Sequence, residues 1–367
     1  MTLDSNLIDE LEQAMSNGDI GRRAKALRLV SDLFALGSGR FSEGHIKLFD
    51  QIMLSIVGRV EISARATFSQ RLSSFPDAPC GTIRLLAFDE AIEVARPVLS
   101  LSGRLVQEDI VSNARKMSQV HLLAIAERAE LPREVTDVLL ERGDRAVAEC
   151  AARNAKASFS DFGYASLAER SRDDVDLALS VWARPELPRL ILVKLFVDAS
   201  KAVQKQLEAN DAHKTSIVRE LVARASTQLL KQTRTESPVY LDASMDVMAL
   251  HKAGELTQAR LADFAERGDF YRTTTAISLL CDLPIELVEQ ILVRSNTEQL
   301  IILAKATDLT WPTTKAILVL GAQSDRTEAG AIERAFVTFT RLQLKTAMAA
   351  LQFYRMRERA KPLSGAA

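Results

Sequence analysis

The chain is poor in aromatic residues (5%), in cysteine (3) and in net charge (−1). Cys80, Cys150 and Cys281 lie far apart and form no C-x-x-C pair, which argues against a zinc clip or a disulfide framework and leaves reduced thiols as the expectation. The balance of 47 basic and 48 acidic residues gives no chain-wide field to steer a polyanion. No window reaches the ~18 uninterrupted apolar residues of a membrane span, and the most apolar stretch, Leu190 to Val197, is cut by Lys194. The start, from Met1 to Leu7, lacks the basic-then-apolar order of a signal peptide, so a cytoplasmic protein is expected.

What is present is helical. Apolar residues make up 47% of the 367 residues, and alanine and leucine, both good helix formers, are abundant. Ile217, Leu221, Ala225 and Leu229 step by four, while Leu287, Val288, Ile291 and Leu292 follow the i, i+3, i+4 rule. Sustained period-two alternation is scarce. Even Leu190–Val197, rich in β-branched residues, reads as a buried helix because it follows Pro188 in an otherwise helical register. The expected fold class is all-α.

Self-similarity refines that expectation. Glu130-Leu131-Pro132, Glu186-Leu187-Pro188 and Asp282-Leu283-Pro284 repeat one pattern ahead of amphipathic stretches. Proline at the first helical position loses no hydrogen bond, and an acid before it favours the positive helix start. Arg96, Arg128, Arg153 and Arg184 recur near helix ends, at steps of 32, 25 and 31 residues, about one two-helix hairpin each. Glu141-Arg142-Gly143-Asp144 is echoed by Glu266-Arg267-Gly268-Asp269, where a left-handed glycine would end one helix and an aspartate would cap the next. Stacked hairpins of this kind bury a shared core, so a HEAT-like α-α superhelix is expected.

Charge and spacing also suggest an organisation. Residues 1–80 read as an N-terminal helical cap and 81–200 as the repeat array. Seven lysines and arginines against three acids over Lys201–Arg234 suggest longer polar helices, with a linker from Thr233 to Pro238. Repeats resume over 238–367, where Cys281-Asp282-Leu283-Pro284 and Thr307-Asp308-Leu309 lie 26 residues apart.

The segments Leu86–Leu99, His121–Asp144, Leu283–Val288 with Leu303–Trp311, and the closing Phe353–Arg357 resemble a bacterial family of unknown function with HEAT-like helical repeats. The resemblance runs from about residue 60 to Arg357. It implies the repeat architecture and brings no catalytic residues with it.

Chemistry-bearing patterns are sparse. Gly37-Ser38-Gly39 with Gly44 lacks the lysine of a phosphate loop and reads as a connection between helices. Asp173, Asp174 and Asp176 have no facing acidic cluster and fit the start of a helix. His45, His121, His213 and His251 never stand at i, i+3 or i, i+4 with another ligand; His121 and His251 read as surface or capping residues. No catalytic, cofactor or metal residue is assigned. The candidates for partner binding are Arg96, Arg128, Arg153 and Arg184, which would grip carboxylates or phosphates if they shared an edge and would otherwise cap helices or pair with neighbouring acids.

The expected function is therefore a non-enzymatic scaffold or regulatory adaptor that holds a protein or peptide on its superhelical groove. Alternatives are a nucleic-acid-binding HEAT-like protein and a sensor of an anionic nucleotide. Phe336, Phe339, Leu351 and Phe353 would close the core or form a homodimer contact.

Overall fold

The computed structural model describes residues 20–210, 215–294, 297–322 and 329–359. The first part of the expected cap, His213 and the end of the basic tail at Lys361 lie outside them. Among the described residues there are 21 α-helices, one 3₁₀ turn (Ser171–Asp173) and no strand. The protein is all-α. The chain forms two compact units, Met1–Gly163 and Tyr164–Ala367.

The first unit contains α1 (Ile20–Gly37), α2 (Glu43–Val57), α3 (Ile62–Leu72), α4 (Cys80–Ala87), α5 (Ile92–Leu101), α6 (Gln107–Lys116), α7 (Gln119–Ala126), α8 (Arg133–Arg142) and α9 (Arg145–Arg153). Helices α1, α3, α5, α7 and α9 each pack on the next of that series, while α2 packs on α4 and α6 on α8. Leu86, Leu99, Leu122, Ile125 and Leu139 fill the interior. The scarce aromatics concentrate at one end, where the Phe34 ring lies 5.2–5.6 Å from those of Phe41, Phe49 and Phe75.

Hydrogen bonds between successive hairpins hold this unit in register. The last carbonyls of a helix have no partner within it, and here side chains from a later hairpin reach back to them. Asn113 donates to Ala87 O (2.7 Å), Arg128 to Leu99 O (2.5 Å) and Ser102 O (2.9 Å), and Asn154 to Arg128 O (2.6 Å). Arg142 donates to Ala114 O and Met117 O. At the other helix pole Asp50 accepts from the amide of Thr82 (2.7 Å) at the start of α4. The sequence separations, 25 to 32 residues, are those of the recurring arginines.

The second unit holds most of α10 (Asp161–Arg170), then α11 (Val175–Trp182), α12 (Arg189–Asn210), α13 (Thr215–Thr235), α14 (Pro238–Lys252), α15 (Gln258–Glu266), α16 (Phe270–Cys281), α17 (Ile285–Val293), α18 (Thr297–Ala306), α19 (Trp311–Ala322), α20 (Ala329–Arg341) and α21 (Leu344–Arg359). The apolar run 190–197 is helical, and its Leu190, Val193 and Val197 are core residues. Helices α12 and α13 run 22 and 21 residues through the segment read as polar helices. The expected linker is mostly helix: Thr233–Thr235 ends α13, and only Glu236 and Ser237 separate it from α14, whose start Ser237 caps.

Among the described residues, four helix ends in this unit are closed by a left-handed backbone turn. Leu283 N bonds Ser278 O and Leu309 N bonds Ala304 O across left-handed Asp282 (φ 49°) and Asp308 (φ 55°). The same closure occurs at Gly254 and Gly268. These are Schellman ends, each satisfying a carbonyl of the last turn. The equivalence of Asp282 and Asp308 gives the 26-residue spacing a backbone meaning, with Leu283 and Leu309 both buried after the turn.

Two local expectations need correction. Pro132 and Pro284 stand at the N-cap, one residue before the first helical position, and with Pro188 they lend their carbonyls as the first acceptors, for Thr136, Val288 and Leu192. Gly143 is extended (φ −69°, ψ 147°), not left-handed like Gly268. It is small because a Cβ there would stand 2.3 Å from Leu139 O. The partner residues do cap as expected: Asp144 accepts from Val147 N and Asp269 from Arg272 N.

Candidate functional site

The four recurring arginines occupy different settings. Arg96 forms a two-pronged ion pair with Glu127, whose hydrogen bond raises the guanidinium pKa. Arg128 is engaged with the two carbonyls of the preceding hairpin, and burial lowers its pKa. Arg153 is exposed and lies 3.5 Å from Glu149 one turn earlier. Arg184, in the second unit, is buried and pairs through two nitrogens with Glu186. Burial alone would raise the Glu186 carboxyl, but its own backbone amide and Arg184 hold it below the usual range. Arg128 thus ties its hairpin to carbonyls of the preceding one, at Leu99 O and Ser102 O. Its counterparts there are Arg104, which donates to Ala78 O (3.1 Å), and Arg142.

The remaining sequence features are local. Asp174 caps α11 by accepting from Leu177 N (3.1 Å). The Gly37–Gly39 connection turns its Ser38 hydroxyl and Gly39 amide onto Asp77, which leaves that amide engaged with a carboxylate of the chain itself. His121 is not a surface residue; it is 1% exposed. Its Nε2–H donates to Asp89 O (3.0 Å), and the Ser118 hydroxyl meets Nδ1 (2.8 Å), another tie between hairpins. Among the described residues no group of three or more His, Cys, Asp or Glu is placed to hold a metal ion.

Three arrangements in the second unit were not legible as sites in the sequence. The first is a buried ion cluster. Glu289, 0% exposed, accepts from Arg189 through both oxygens (3.0 Å each) and from Arg234 (3.3 Å), which also donates to Glu286 (2.5 Å). Arg189 adds bonds to Thr233 and Leu230 O, so α12, α13 and α17 are tied at one point. Burial alone would lower the Arg234 pKa, but Glu286 and Glu289 raise it. Two arginines and two glutamates neutralise one another, which makes the cluster structural.

The second is a cavity of about 270 Å³ lined in part by the same three helices. Val197, Leu230 and Ile291 supply apolar wall, while Lys201, Arg294 and Arg357 bring cationic groups to its lining.

The third is apolar surface at helical spacing. On α14, Leu241, Met245 (72% exposed) and Met248 stand at i, i+4 and i+7, opposite the buried Ala243, Ser244 and Val247. Asp242 and Asp246 lie along the same helix and share Arg272 with Asp269. On α11, Val175, Leu179 and Trp182 show the same spacing and exposure, with Leu177 and Val181 on the buried side. That these second faces remain uncovered depends on which helices pack beside them.

Among the described residues no helix is long and apolar enough to cross a membrane. No curated protein and no solved structure matches the chain. A family model described as an uncharacterised protein conserved in bacteria (DUF2336) matches residues 94–352, the last part of the first unit and most of the second, and the chain belongs to that family.

Proposed function

We propose that this protein is a non-enzymatic, HEAT-like helical-repeat adaptor of the bacterial cytoplasm that binds a protein partner through an amphipathic helix. The observation that carries the reading is the uncovered Leu241–Met245–Met248 stripe on α14. Contiguous exposed apolar surface favours burial against a partner, and methionines adapt to varied side chains. Spacing of i, i+4, i+7 suits a helix laid alongside. Asp242, Asp246 and Asp269 outnumber Arg272, which favours a partner helix with lysine or arginine beside its apolar face. The α11 stripe, with its half-exposed Trp182, supports the same reading, since tryptophan is common at binding hot spots.

Selection of helical peptides from a display library against the full chain tests this. Enriched peptides are expected to share an apolar i, i+4, i+7 pattern with flanking basic residues, and to lose binding to the Met245→Glu variant. Enriched peptides without that pattern, or with equal affinity for the variant, would contradict it.

A further inference from the structure

Independently of the partner surface, we infer that the cavity beside α12, α13, α17, α18 and α21 is a binding site for a compact diphosphate-bearing ligand. Three cations line it from three different helix ends or faces: Lys201 on α12, Arg294 just after α17 and Arg357 on α21. Against them stands one lining carboxylate, Glu358. Arg294 and Arg357 are exposed and have no ion-pair partner among the described residues, unlike the arginines of the buried cluster. Lys201 has only a 3.5 Å contact with Asp198. Both guanidiniums line the same cavity without a pairing carboxylate among the described residues.

The rest of the lining suits a phosphate ligand. Ser200 and Ser226, whose hydroxyls bond each other, line it together with Thr227, Gln290 and Gln299, so the uncharged lining is polar as well as apolar. Gln299 lies in the first turn of α18, so the positive end of that helix borders the cavity. Glu298 in the same turn is not part of the lining. Guanidiniums bind phosphate oxygens in pairs, and three cationic groups match a diphosphate better than a single carboxylate. The volume, about 270 Å³, falls just below the ~300 Å³ lower end of common small-molecule sites, which favours a compact ligand. Val197, Leu230 and Ile291 provide an apolar wall for its uncharged part.

Calorimetric titration of the full chain with pyrophosphate, at ionic strength matched with sodium chloride, tests the site. Saturable binding is expected, tighter than that of orthophosphate and retained by a nucleoside diphosphate if the natural ligand carries an organic group. The double variant Arg294→Gln, Arg357→Gln, altered only at exposed positions, should bind pyrophosphate at least about tenfold more weakly. Lys201→Gln alone should weaken it less, and Arg341→Gln, outside the cavity, should leave it unchanged. Absence of binding by pyrophosphate and nucleoside diphosphate, preference for orthophosphate, or undiminished binding by the folded double variant would each overturn the assignment.

Discussion

Glu289 is wholly enclosed between two guanidiniums, so its removal would leave Arg189 and Arg234 buried with only Glu286 as counter-charge. Glu289→Ala is therefore expected to lower stability by about 3–5 kcal/mol, measured as the shift in a urea unfolding curve. A surface glutamate such as Glu333 replaced in the same way should change it by less than about 0.5 kcal/mol. Nothing in the sequence distinguished Glu286 and Glu289 from solvated helix residues. Their partners lie 52 to 100 positions away and come together only when α12, α13 and α17 pack. Cys281 gives a pH dependence. Burial pushes its thiol up to about 12 from the usual 9.0, with Arg355 opposing only weakly. The folded state then keeps a proton that the unfolded state releases, so this residue's contribution is present below pH 9.0 and lost as pH rises toward about 12. Relative to Cys281→Ala, the wild type should lose about 1.4 kcal/mol of stability per pH unit in that window. A constant difference between the two proteins from pH 9 to 11 would contradict the burial argument.

Helix ends differ between the two units in how they satisfy the same orphan carbonyls. In the first, side chains such as Asn113, Arg128 and Asn154 arrive from a later hairpin. In the second, Gly254, Gly268, Asp282 and Asp308 turn left-handed and the backbone closes on itself. The glycines and the recurring D-L pair marked these positions in the sequence, and so did the aspartate caps. The cross-hairpin bonds were legible only as a period. Arg96, Arg128 and Arg153 look alike in the sequence, yet Arg96 lies inside α5 rather than at its expected end, Arg153 ends α9, and Arg128, in the turn after α7, is the one that points back at the preceding carbonyls. Asp308 offers a test. An L-residue in the left-handed region costs about 1–2 kcal/mol, whereas glycine enters it freely at some cost in chain entropy. Asp308→Gly should raise the melting temperature by a few degrees, and Asp308→Val should lower it. Stabilisation by valine would show that the turn is not left-handed in solution.

Across the whole chain, near-neutral charge has a local explanation. In the first unit several acids and bases pair with one another or bond helix ends, as at Arg65 with Asp89, Arg96 with Glu127 and Arg128 with Leu99 O. The second unit carries Arg294 and Arg357 at the cavity and the exposed stripes on α11 and α14. Helical content could be read from the sequence because it depends on neighbours three or four residues away. Which apolar face is left open depends on packing among distant helices, and there local periodicity carries no information. The partner surface is therefore best tested by photo-crosslinking in living bacteria, with a benzophenone side chain at position 245 and, as a control, at the equally exposed Leu36. A discrete protein adduct is expected at 245, absent at 36 and lost when Leu241 and Met248 are changed to glutamate. No adduct at 245, or the same adduct at both positions, would contradict a partner docked on α14.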